Sequence, residues 1–484
     1  MSLKTHIRKW LGITDPRGVY RAKRGGFEAA KQQRYLSFFN ALEAAHNERL
    51  RDLAALRAHS RDLSKNSAYM RAFIDLAATN IVGPEGIDLE NNIPNREDWN
   101  DLVEAAWHEW GQCVTPDGRL SWVEFQHLAI ETLVTDGEIF IRLLRGRGPF
   151  GLELELIDPD RVDHTINRAM NNGRRVIMGI EVDEWNKPCA YHIRTAHPAD
   201  PGGHPERVVI PAGEILHVYA DERIQSVRGI PWATPCMIQL NMLDRLWKSS
   251  LATANAEADR IGVIKGMASL TPDDREAISG ENATETTATV ASELTTEMAT
   301  FMGIPPGMDV DFPPLRHPNQ FLGEFTKFLL KGVASGLQVS YHTLAGDVAE
   351  ANYSSLRAAL LPERDAWRRR QTAIIAKLHN KVAHIWAEMA WLTGKIILPG
   401  GPAAFCKPIW WPRSWDWVDP LKDINSAILA INNDLSTYQE ELGKRGLDWR
   451  EVFRQRAAEQ EYADSIGLKL PTPIAPEPKQ PPTK

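Results

Sequence analysis

From about residue 34 to residue 80, Leu36, Phe39, Leu42, Leu50, Leu53, Leu56, Phe73, Ile74 and Leu76 recur near a 3.6-residue period, which predicts helix. Gly83, Pro84 and Gly86 end that stretch. Two more helices are predicted, from Asp98 to about Trp110 and from Trp122 to Thr135. The period then drops to two. Ile139, Ile141 and Leu143 alternate with Phe140 and Arg142, and Leu152, Leu154 and Leu156 alternate with Glu153 and Glu155, as strands with two unlike faces do. Val176–Val182, Ala190–Ile193 and Glu214–Tyr219 continue the strand pattern, with Asn171-Asn172-Gly173 and Asn186-Lys187-Pro188 as turns. Residues 137 to 222 therefore form a mostly β unit behind a helical one.

The turn Arg228-Gly229-Ile230-Pro231-Trp232 introduces a long helix, because Pro231 and Pro235 suit a first turn in which a missing N–H has no partner to lose. Leu240, Leu243, Trp247, Leu251, Ala254 and Ala258 mark one face of it. Residues 261 to about 315 are rich in Thr, Ala and Glu and lack a helical period, which predicts an irregular, β-containing insert. A returning helix starts near Asn319, with Phe321, Phe325, Phe328 and Leu329 on one side and Gly332 and Gly336 a turn apart. After a polar loop from Tyr341 to Tyr353 comes a longer helix marked by Leu356, Leu360, Trp367, Ile374, Leu378, Val382, Ile385 and Met389. Pro362 lies inside it and predicts a kink or break near Leu361. A connector carrying Trp410, Trp411, Trp415 and Trp417 leads to two short helices, at 420–442 and 448–466. The stretch from Pro471 to Lys484 holds six prolines and is expected to be disordered.

Composition narrows the class. Apolar residues at 43% and charged residues at 25% of a 484-residue chain fit a soluble protein with a substantial core, divided into about three units. A net charge of −7 argues against a tight nucleic-acid binder, which needs a broad cationic surface. The exception is the N-terminal arm, where Lys4, Arg8, Lys9, Arg17, Arg21, Lys23, Arg24, Lys31 and Arg34 face only Asp15 and Glu28; a solvated tail is the preferred reading. Cys113, Cys189, Cys236 and Cys406 are scattered without pairing or metal spacing, which fits a reducing cytoplasm. The N-terminus lacks an apolar signal segment and no run of eighteen apolar residues occurs, so neither secretion nor a membrane span is expected. The tryptophans at 107, 110, 367, 386 and 391 are expected at packing seams or interfaces.

Catalytic signatures are scarce. Gly443-Lys444-Arg445-Gly446 lacks the upstream glycine and the hydroxyl of a phosphate-binding loop and reads as a helix stop. No GxSxG or HExxH pattern occurs. Asp158, Asp160, Asp163 and His164 gather oxygen and imidazole donors within seven residues, but Asp-Pro-Asp after a strand is first a turn. His379 and His384, five apart on a helix, point to different faces and are assigned to the surface. Arg368-Arg369-Arg370 reads as a solvated or intersubunit ion-pairing face, with phosphate steering as its alternative.

The order of three motifs is more specific than any of them alone: Leu156-Ile157-Asp158-Pro159-Asp160-Arg161-Val162, Ile210-Pro211-Ala212-Gly213-Glu214-Ile215-Leu216-His217-Val218, and Val227-Arg228-Gly229-Ile230-Pro231-Trp232. With Pro305-Pro306-Gly307 and the segment from Pro318 to Arg370, the chain resembles the lambda-like family of tailed-phage portal proteins over about residues 30–465. The resemblance implies an α+β portal fold: a basic arm (1–33), a wing (34–222), a first stem helix (223–260), a clip (261–316), a second stem helix (317–340), a tunnel loop (341–353), a long kinked helix from wing to crown (354–409), a helical crown (410–470) and a proline-rich tail (471–484).

It further implies a homododecameric, non-enzymatic ring at one capsid vertex, without cofactor or metal, assembled in the bacterial cytoplasm. Its implied partners are the terminase large subunit, a major capsid or scaffold protein, the head–tail connector, and double-stranded DNA without sequence specificity. Lys331, His342, Thr343 and Asn352 would then line the DNA tunnel. Two other classes stay open: a non-catalytic virion scaffold or adaptor, and a metal-dependent nuclease built on Asp158, Asp160, Asp163 and His164.

Overall fold

A computed structural model describes residues 45–170, 173–200, 206–220, 223–258, 263–264, 293–296, 299–303, 322–349, 352–415, 420–443 and 449–468. The basic arm, the proline-rich tail, Phe321 and most of the 261–316 insert lie outside the described residues.

The first helical stretch is two helices, α1 (Ala45–Asn66) and α2 (Ala68–Ile81), separated at Ser67. Met70, Phe73, Ile74, Ala77, Ala78 and Ile81 of α2 fall three or four apart and face the core. Strand β1 (Asp88–Asn91) and helices α3 (Glu97–Gly111) and α4 (Trp122–Asp136) follow. The α4 ends are specified locally: Ser121 and Glu124 form a reciprocal capping box, and Gly137 closes the helix in the left-handed conformation.

That glycine is also a point of close approach. A Cβ on Gly137 would lie 2.0 Å from the Ile230 carbonyl carbon, and one on Gly229 would lie 2.0 Å from the Gly137 oxygen. Two backbones therefore touch where the helical unit, the β unit and the turn before the next helix meet.

The β unit contains two antiparallel sheets. In the first, β2 (Glu138–Arg145) lies between β3 (Leu152–Ile157) and β9 (Ile215–Tyr219). The second is a meander of β4 (Arg168–Ala169), β5 (Arg175–Ile177), β6 (Ile180–Val182), β7 (Pro188–Arg194) and β8 (Arg207–Pro211). The single strand expected at 176–182 is two short ones, turned at Met178-Gly179, both with positive φ.

Helix α5 (Met237–Ala258) packs against α6 (Leu322–Leu337), and at their contact a Cβ on Gly336 would stand 3.0 Å from that of Cys236. Between the two helices the described fragments β10 (Val263–Ile264), β11 (Glu293–Thr296) and β12 (Ala299–Gly303) form a small sheet.

The expected polar loop contains a five-residue helix, α7 (Tyr341–Ala345). Helix α8 (Tyr353–Ile374) continues through Pro362, so of the kink or break expected near Leu361 the break is absent. Pro362 is exposed. The irregularity falls later, in a π-turn at Ile375–His379 that continues into α9 (Asn380–Leu392). The chain finishes with α10 (Pro402–Phe405), β13 (Pro408–Trp411), α11 (Pro420–Asn432), α12 (Tyr438–Gly443) and α13 (Trp449–Ser465). Strand β13 pairs antiparallel with β1, Asp88 opposite Trp411.

One core spans these elements. At its centre Trp107 contacts Trp110, Trp122, Trp386 and Trp410, with ring centroids 4.8 to 5.8 Å apart. A second, smaller core of Phe140, Ile157, Val162, Ile180 and Tyr191 underlies the meander.

Candidate functional site

The three motifs that carry the resemblance converge in space. Glu138 opens β2 and is fully buried, a position that demands neutralisation. Arg228 supplies it, its Nε donating to Glu138 Oε1 at 2.7 Å, and Arg57 of α1 donates to the same oxygen. Oε2 accepts from the Gly229 N–H and from His217 Nε2, each at 2.9 Å. Burial alone would raise the Glu138 carboxyl, but Arg228 and Arg57 outweigh it and hold it well below the usual carboxylate range. Burial likewise pushes His217 down, against the opposing pull of the Glu138 carboxylate.

Arg228 spends its remaining donors on the carbonyls of Met178 (2.7 Å) and Pro159 (3.2 Å). Arg49, about two turns before Arg57 on the same face of α1, reaches Ser226 Oγ at 2.6 Å and the Arg228 carbonyl. Arg61 binds both oxygens of Asp136, at 2.7 and 2.8 Å, and also touches Asp158 and Asp160. Its hydrogen bonds to Asp136 make it hold its proton more firmly than a free guanidinium. Four guanidiniums and four carboxylates thus tie α1, β2, the turn after β3, and the turn that enters α5 into one joint.

The joint divides the four donors Asp158, Asp160, Asp163 and His164 of the metal alternative. Asp158 Oδ1 accepts from the Asp160 N–H at 2.8 Å, the local turn expected of Asp-Pro-Asp, and both carboxylates are occupied by Arg57 and Arg61. Asp163 is buried elsewhere, accepting from Thr165 and paired with Arg194 and Arg207. The imidazole that joins Asp158 and Asp160 is His197, not His164, and its Nε2 lies 3.8 Å from Asp160. A set already neutralised by guanidiniums is suited to a structural joint and poorly suited to holding a divalent cation.

Other expectations shift as well. His379 is not on the surface: it lies in the π-turn between Trp122 and Trp410, with its Nε2 2.9 Å from Gln126 Oε1, and burial pushes it down to about 3. Between pH 6.5 and about 3 the unfolded chain binds a proton that the folded chain refuses, so stability falls as pH falls through that window. His379→Leu is expected to reduce the pH slope of the urea unfolding free energy by up to about 1.4 kcal/mol per pH unit. Equal slopes in the two proteins would contradict this burial effect.

The Arg368–Arg370 run divides. Arg370 stacks on Trp232 and Trp367, 4.6 Å from each ring, whereas Arg369 reaches Gln338 and Arg368 lies near Asp365.

The four residues named for the tunnel lie along one stretch of α6, α7 and the start of α8. Lys331 is exposed, 5.8 Å above the Tyr341 ring. His342 Nδ1 is 2.7 Å from the Asp347 carbonyl, and Thr343 Oγ1 donates to Glu363 at 2.9 Å. Asn352 caps α8 and is exposed. Glu363 also accepts from the Ser340 N–H and from Trp367, pinning this turn to α8.

Residues 32–371 match the family model of the phage portal protein, lambda family, and the chain belongs to that family as a structural portal subunit. It is 30% identical over 438 residues to the probable portal protein of Halomonas phage phiHAP-1, covering 87% of this chain and 83% of that one. It is 23% identical over 464 residues to portal protein B of Escherichia phage lambda, covering 86% and 85%. Among solved structures it is similar to a chain from the neck of an empty GTA particle computed with C6 symmetry, with TM-score 0.43, 13% identity, and 86% and 94% of the chains covered. It is also similar to a chain from the neck of a native GTA particle computed with C12 symmetry, with TM-score 0.40, 14% identity, and 81% and 92% covered. Portal proteins are virion components of the capsid vertex. Among the described residues no helix is long and apolar enough to cross a membrane.

Proposed function

We propose that twelve copies close into a ring through which double-stranded DNA is packaged and ejected, with α5 and α6 as the stem, the 261–316 insert as the clip and residues 341–353 beside the tunnel. The terminase large subunit, and later the head–tail connector, dock on the ring, and a capsid or scaffold protein holds its rim. Terminase supplies the energy, and this chain supplies a duct.

One observation carries the reading beyond family membership: α5 and α6 display Ile238, Met242, Trp247, Leu251, Phe325 and Phe328, all at least half exposed. An apolar surface of that size on one hairpin is suited to burial against neighbouring copies. In the duct, Lys331, His342, Thr343 and Asn352 would meet the phosphates weakly, and weak uniform contact lets DNA slide.

The double variant Phe325→Glu/Phe328→Glu is expected to abolish rings while leaving the circular dichroism spectrum of the chain unchanged. Rings that persist at wild-type yield would remove α6 from the interface.

A further inference from the structure

We propose that a groove beside β13 is the docking site of the chain's own proline-rich C-terminal tail, an inference independent of the portal reading. The groove has a volume of about 1440 Å³ and runs between the α8–π-turn face, the Trp410–Trp415 segment, and helices α11 and α12. Its apolar wall carries three tryptophans whose N–H groups are committed elsewhere: Trp410 to Asn380, Trp411 to Glu90 and Trp415 to Asn80, at 2.7, 2.6 and 2.9 Å. Trp410 is buried in the core, so the ring surface left to the groove is that of the half-buried Trp411 and Trp415. Aromatic-lined grooves of this kind take polyproline II ligands, whose stiffness reduces the entropy lost on binding.

The length of chain beyond Leu468 and the place where it begins favour this occupant. Helix α13 starts beside the groove, because Arg450 donates to Glu90 at 2.9 Å and Glu90 is the acceptor of Trp411. The helix then runs away along α3, with Arg454 3.5 Å from both Glu97 and Asp101. Its 17 residues measure about 25 Å. At ~3.1 Å per residue, a polyproline II conformation would let the tail from Lys469 to Lys484 span about 50 Å. About eight residues return the length of the helix, which brings Glu477–Lys484 to the groove. That half contains Pro478-Lys479-Gln480-Pro481-Pro482, prolines at PxxP spacing, and its lysines are opposite in charge to the α12 rim, which carries Glu440 and Glu441.

The test uses the full chain with Gln480→Cys carrying bimane, a fluorophore that tryptophan quenches on contact, in a Cys113→Ser/Cys189→Ser background. The folded protein is expected to be dark. Emission should rise several-fold in Pro478→Ala/Pro481→Ala/Pro482→Ala and in Ala427→Lys/Ala430→Lys, the second pair filling the groove from α11 while circular dichroism stays unchanged. Equal emission in all three proteins overturns the proposal. So does a labelled Ala427→Lys/Ala430→Lys chain that turns dark when assembled with unlabelled wild type, because the groove would then hold another copy's tail. Ring formation read on the same samples separates failure here from failure of the portal reading.

Discussion

Gly137→Ala and Gly229→Ala are each expected to destabilise the fold by at least about 4 kcal/mol, enough to abolish soluble expression. The reason is steric and lies in backbone, which cannot step aside as a side chain does. A methyl at either position would stand 2.0 Å from an atom of the facing chain, and Gly137 also has φ +85. Gly146 supplies the control: it has φ +79 but nothing within 4 Å of a Cβ. Gly146→Ala carries only the conformational cost, roughly 1 kcal/mol. Chemical denaturation of the three variants separates contact from conformation, and comparable losses at all three would show that the two segments do not touch.

Arg228→Met should be nearly as damaging, at about 3–5 kcal/mol, because it leaves the buried Glu138 carboxylate without its main counter-charge. It also strips the Met178 and Pro159 carbonyls of their donor. Arg228→Lys keeps the charge but not the fork that reaches all three acceptors, so it should recover only part of the loss. Adding Glu138→Gln to Arg228→Met should cost less than the two changes summed, with a coupling of about 1–3 kcal/mol in urea unfolding. Strict additivity would mean that the joint is a set of independent contacts.

Much of the fold is legible in the sequence, since the period of apolar positions places α3, α4, β2, β3 and α5 within a few residues. Local signals cannot reveal pairings between distant segments. Strand β13 pairs with β1 across more than three hundred residues, and Trp410 and Trp411 alone do not announce a strand. The joint is hidden for the same reason: Arg57, Glu138, His217 and Arg228 come from four separate elements.

A signal was present in α1, where Arg49, Leu53, Arg57 and Arg61 repeat every four residues, so the arginines share the face of a buried leucine. Charges on an apolar stripe point to buried partners. Spacing places Pro362 inside a helix but does not tell whether the helix ends there, and α8 continues past it. The π-turn arises instead where the helix must pass Tyr219 and Trp122: Lys377 donates to the Tyr219 carbonyl at 2.7 Å, and His379 sits against the Trp122 ring.

The measurement that bears most directly on the central claim is the assembly state of the purified chain, by native mass spectrometry with electron-microscope class averages of the same sample. Twelve 54.4 kDa chains give a particle of about 650 kDa with a central hole wide enough for duplex DNA, and this closed ring is the predicted result. A monomer or dimer at every concentration and salt, with no rings in the images, would contradict it.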